Sequence, residues 1–131
     1  MSNHIHLLVR SGQGNLSGTL RDFKSHTSKE ILKAIIEKNE SRRDWLLMVF
    51  KYAANKHKRN STYQVWTHEN HAEEIYSNKF IEQKLDYIHN NPVRAGIVTN
   101  SEDYLYSSAR NYASLESVLD VIEVSRTWKT Y

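Results

Sequence analysis

From His4 to Arg10 the chain alternates: His4, His6 and Leu8 would share one face of an extended segment, and Ile5, Leu7 and Val9 the other. A period of two is the mark of a strand. In this reading the apolar residue between the histidines anchors the strand in the core. Ser11-Gly12-Gln13-Gly14 reads as the turn that ends it. A helix is expected from near Asn15 or Ser17, with Leu16, Leu20, Phe23, Thr27, Ile31 and Ile35 recurring at helical spacing, and an end near Asn39. Ser41 with Asp44 three residues on resembles a capping box. The helix beyond it carries Trp45, Leu46, Met48, Val49 and Tyr52. Tyr63 to Thr67 reads as a short strand. A third helix is expected from near Asn78 to about Asn90, with Ile81, Leu85 and Ile88 as its core stripe. Phe80, Lys84, Tyr87 and Asn91 are spaced by four, three and four, so they lie along a neighbouring face. Pro92 is expected to stop this helix, because proline disfavours helical geometry in the residue before it. Gly96-Ile97-Val98 begins the next piece, compatible with a strand. Ser107 to Tyr112 reads as a short helical segment, and Val118 to Val124 as a last strand or an irregular tail.

With 131 residues, four glycines, one proline and no low-complexity stretch, the chain is expected to form a single domain over residues 1–131. The absence of cysteine excludes disulfides, thiolate chemistry and sulfur-based zinc sites. There is no apolar run of membrane-spanning length and no leader-like start, so the expectation is a cytoplasmic protein without a membrane partner. The net charge of +3 with a pI near 9.1 leans towards a polyanionic partner. Its distribution says more. Lys51, Lys56, Lys58 and Arg59 fall within ten residues that contain no acid. Electrostatic footprints for nucleic acid look like this. A solvated helix end, with lysines favourable to the C-terminal dipole, looks the same. The eight tyrosines supply core area and also offer faces on which bases can stack.

Three features carry chemistry. His4 and His6, on one face of a strand, can converge on one divalent ion. Alone, such a pair is more often incidental. Tyr87, near the end of its helix, reads by itself as a half-buried tyrosine. Asn91 reads by itself as a helix-capping residue before proline. Together they suggest more. A neutral phenol is a poor nucleophile, so its reactivity must come from placement and from an activated electrophile, such as a phosphodiester bound to a divalent ion. Two imidazoles and one side-chain amide would leave coordination positions open for phosphate oxygens, a set consistent with Mg²⁺ or Mn²⁺.

Met-Ser-Asn-His-Ile-His-Leu-Leu-Val closely resembles the HUH strand of the REP-associated tyrosine transposases, usually Met-Pro-Asn-His-Val-His-Leu-Leu-Val. Tyr87-Ile88-His89-Asn90-Asn91-Pro92-Val93-Arg94-Ala95-Gly96 is similar to the family's tyrosine motif. Glu102-Asp103-Tyr104 and Ser107-Ser108-Ala109-Arg110 are similar to its downstream segment. The likeness spans roughly residues 1 to 112. It implies an α/β (α+β) fold of the HUH-endonuclease, ferredoxin-like type, with a central antiparallel β-sheet flanked by helices. Family members carry a few tens of residues before the HUH strand, including the first strand of the sheet, so an N-terminally truncated version of that fold is expected, with an exposed sheet edge that a partner molecule could cover, by strand exchange or as a simple homodimer, and the choice between monomer and dimer stays open. The resemblance further implies that His4, His6 and Asn91 hold the metal and that Tyr87 is the nucleophile. The substrate it implies is single-stranded DNA beside a hairpin, cut and joined through a 5′-phosphotyrosine link with release of a 3′-OH. Arg94 would contact DNA phosphate, or else form a structural ion pair.

Two other readings compete. A catalytically impaired or domesticated relative would grip hairpin DNA through Lys51, Lys56, Lys58 and Arg59 without cutting it. A histidine-triad type of phosphoesterase would need a third alternating histidine where Leu8 stands. The remaining histidines (His26, His57, His68, His71 and His89) read as surface or structural residues.

Overall fold

The computed structural model describes residues 3–56 and 62–124. They form two compact units. One is built from the chain up to Val9 together with the chain from Glu73 onward; the other is Arg10–Ala72.

In the Arg10–Ala72 unit, α1 spans Leu16–Glu37. Asn15 caps it, its side-chain oxygen accepting from the Gly18 N–H at 3.0 Å. The predicted stripe is the covered one, with Ile35 buried and Leu16, Leu20, Thr27 and Ile31 partly so, although Phe23 stays more open. Asn39, at φ 50°, turns the chain out of the helix. Helix α2 spans Arg43–Lys56. Glu40 organises its entry. The Glu40 carboxylate accepts from the backbone N–H and the guanidinium of Arg42, each at 3.2 Å, and from Ser41. These contacts, led by the backbone hydrogen bond, hold its pKa below the ordinary carboxylate value. Ser41 therefore serves Glu40, where a bond within a Ser41–Asp44 box was expected. Tyr63 to Thr67 forms no strand. Its backbone is tied to both helices instead: the Gln64 N–H donates to the Phe50 carbonyl at 3.0 Å, the Trp66 indole N–H to the Thr27 hydroxyl at 2.9 Å, and the Lys24 ammonium to the Thr67 carbonyl at 2.9 Å.

The other unit is organised around α3, Asn78–Arg94. Ser77 caps its start by accepting from the Phe80 N–H at 3.2 Å. The helix does not stop at Pro92. It runs two residues further, to Arg94, with Pro92 buried, and ends in a Schellman motif. Gly96, at φ 67°, donates to Val93 O at 2.9 Å, and Ile97 donates to Pro92 O at 2.9 Å. Gly96-Ile97-Val98 is thus the helix stop rather than a strand. A 3₁₀ turn at Ser101–Asp103 packs against α3 and against the short α4, Ala109–Tyr112. The buried His89 of α3 bonds the Ser108 hydroxyl at 3.0 Å and meets the Tyr112 ring edge-on at 5.1 Å. Arg110 donates to the carbonyls of Glu102 and Glu116, and the Tyr112 hydroxyl accepts from the Val124 N–H, so residues 118–124 follow as an irregular tail.

The expected central antiparallel sheet is not there: among the described residues the chain is helical and contains no strand. The His4–Arg10 segment keeps its alternation, but inverted. Ile5, Leu7 and Val9 are about half exposed (Ile5 49%), while His6 and Leu8 are more covered. Ile5 is no core anchor. A strand needs a paired backbone on its flank, and alternation alone does not supply one. No helix among the described residues is long and apolar enough to cross a membrane.

Candidate metal and tyrosine site

His4, His6, Tyr87, Asn91 and Arg94 all belong to the α3 unit. The helix brings its share by register. Because α3 continues through Pro92, Asn91 lies one turn beyond Tyr87 on the same side. The His4–Arg10 segment brings the histidines, whose rings sit edge to face with centroids 5.0 Å apart.

The two parts meet at His6. Its Nε2 lies 2.7 Å from the Asn91 side-chain nitrogen, and its ring lies 5.4 Å from the Tyr87 ring, edge to face. In this geometry the amide donates and Nε2 accepts, so the His6 proton sits on Nδ1 and the ring is neutral. Burial first, and the neighbouring His4 second, lower the His6 pKa from 6.5, which favours the same neutral form. His4 is set by a residue that the motif reading passed over. Asn3 Oδ1 lies 2.7 Å from His4 Nδ1, so Nδ1–H donates and Nε2 carries the free lone pair. The signal for this was an amide immediately before the first histidine.

Tyr87 is 44% exposed, and the Arg94 guanidinium lies 5.8 Å from the centre of its ring. The tyrosine thus stands partly exposed, with a guanidinium beside its ring.

The donor chemistry fits a divalent ion. The site offers two imidazoles and an amide whose oxygen exchanges with its nitrogen by a half-turn of the side chain. Clusters of three or more His, Cys, Asp or Glu able to hold a metal do not occur among the described residues, so a metal here would rest on Asn91 as its third protein ligand.

The basic residues divide. Lys51 and Lys56 are exposed on α2, in the Arg10–Ala72 unit, with Lys56 over the Tyr52 ring at 4.6 Å. Lys58 and Arg59, like His57, lie outside the described residues. His26, His68 and His71 are exposed, and His89 is structural.

No family model, curated protein or solved structure matches this chain.

Proposed function

We propose that this chain is a DNA-cutting and DNA-joining enzyme of the HUH single-tyrosine transposase type, acting on single-stranded, hairpin-associated DNA. One observation supports this more than any other. The four side chains singled out from two motifs about 80 residues apart converge, with Asn91 2.7 Å from His6 and the Tyr87 ring 5.4 Å from His6.

His4, His6 and Asn91 would hold Mg²⁺ or Mn²⁺, which would polarise the scissile phosphate. Tyr87 supplies the nucleophile. Its hydroxyl oxygen bonds to phosphorus and gives up its proton. The bond from phosphorus to the 3′-oxygen breaks, and that oxygen leaves as a 3′-OH. The tyrosine then carries the 5′-phosphate, and attack by another 3′-OH reverses the step and joins strands. Arg94 faces the charge that develops beside Tyr87.

The test is a covalent-adduct assay with labelled hairpin-bearing single strands and Mn²⁺ or Mg²⁺. A denaturant-resistant band is expected, lost with chelator and with Tyr87→Phe. A band that persists in Tyr87→Phe would rule out the mechanism. The lack of a sheet among the described residues favours one second reading, a hairpin-binding protein that does not cut. It predicts salt-dependent binding with no covalent product from any form of the chain.

A further inference from the structure

The cleavage chemistry leaves unused a group of side chains on the N-terminal half of α3. Tyr76, just before the helix, lays its ring nearly parallel on Phe80, with centroids 4.9 Å apart and planes at 16°. Tyr76 is 80% exposed, so this stack is built in water and has a bare outer face. The Lys84 ammonium stands 5.0 Å from the Phe80 ring centre, and the Glu73 carboxylate pairs with it. Phe80, Lys84 and Tyr87 follow one another along one side of the helix, in the same unit as the histidines.

Chemistry selects the occupant. The stack contributes little to a core, since its larger face is wet. A lipid or an apolar helix would need a broad apolar surround, whereas here the Lys84 ammonium stands at the Phe80 ring with the Glu73 carboxylate paired to it. A nucleotide needs what is present: a flat π face for the base and a cation within reach of its phosphate. From Phe80 to Tyr87 is roughly 10 Å along the helix at about 1.5 Å per residue, a span that a short run of single-stranded nucleotides covers.

We infer that the Tyr76–Phe80 stack is a base-binding platform for single-stranded DNA, seating a nucleobase a short run of nucleotides from the phosphate at Tyr87, with Lys84 facing the backbone and Glu73 competing for that lysine. The inference rests on the reading of the site as one that acts on single-stranded DNA. It gives the platform a measuring role: a base seated there sets which phosphate reaches Tyr87. Glu73 tunes the grip, because a phosphate must displace its carboxylate from Lys84.

The experiment uses the full chain, a dye-labelled oligothymidylate, and chelator to suppress cutting, with affinity read by anisotropy. Tyr76→Ala is expected to weaken binding about tenfold, within the range that one stacked base contributes. Tyr76→Trp is expected to retain affinity, with its tryptophan fluorescence quenched on adding the oligonucleotide. Glu73→Gln is expected to tighten binding several-fold. Circular dichroism checks that each variant keeps its helices. Unchanged affinity in folded Tyr76→Ala, or no added quenching in Tyr76→Trp, overturns the platform, as does a wild-type chain that fails to bind. Binding that depends on Tyr76 but yields no adduct once Mn²⁺ is supplied overturns the cleavage reading and leaves the platform standing.

Discussion

The His6 ring meets three neighbours: the Asn91 amide through Nε2, the Tyr87 ring at 5.4 Å and the His4 ring at 5.0 Å. Such crowding has a consequence for pH. Burial and His4 lower its pKa below 6.5, so the folded chain takes up this proton less readily than the unfolded one. Its contribution to stability is therefore complete above 6.5 and is lost as the pH falls through the lowered folded value. The difference in melting temperature between wild type and His6→Gln should be constant above pH 7 and shift against the wild type as the pH drops below 6.5. A difference that stays flat down to pH 5 would contradict the assignment. Asn3 acts on the neighbouring ring. Asn3→Ala frees the His4 ring, and under the proposed function it should weaken Mn²⁺ binding by about tenfold, measured by titration calorimetry. Much of this was readable in the residues: two histidines at a period of two, and a tyrosine and an amide at a period of four. The Asn3 hydrogen bond was not, because nothing in the spacing says which way a short amide turns.

Helix α3 shows why local pattern succeeds and where it stops. Its stripe of Ile81, Leu85 and Ile88 repeats within the helix itself, so the helix was legible, whereas the stop expected at Pro92 was not. Proline forbids its own N–H bond and discourages the residue before it. Here Pro92 is buried, and its carbonyl is taken by Ile97 in the Schellman closure, so the last turn holds. The real stop is Gly96, at φ 67°. Gly96→Ala forces a β-carbon into the left-handed region and should cost about 1–2 kcal/mol, read as a lower urea midpoint. The His89–Ser108 bond ties α3 to the start of α4. Ser108→Ala leaves the buried imidazole short of a partner and should cost roughly 1–3 kcal/mol by the same measurement. Its failure to destabilise would show that the pair is not buried in solution.

On the scale of the whole chain, the expectation that failed is the sheet. Helical periodicity is a property of neighbouring turns, but a strand exists only by pairing with a backbone elsewhere. Alternation at His4–Arg10 and the β-branched, aromatic run at Tyr63–Thr67 were both read as strands. The second spends its hydrogen bonds on α1 and α2 instead. Charge is likewise a property of the whole molecule. Lys51 and Lys56 are exposed on α2, so their effect on DNA binding is expected to be electrostatic and independent of sequence. Lys56→Met should reduce the slope of log affinity against log salt by about 0.7, the value for one phosphate contact on a single strand. An unchanged slope would place that lysine off the DNA.

The hydrogen bond between His6 and Asn91 joins residues 85 positions apart. A ribosome adding about 5–20 residues per second needs roughly 4–17 seconds to travel that distance. During this interval the histidines are already made while the helix that completes their cluster does not yet exist. The cluster closes only after the whole Arg10–Ala72 unit has been synthesised. Tyr87 and Asn91 are therefore made together, on one helix, well after both histidines.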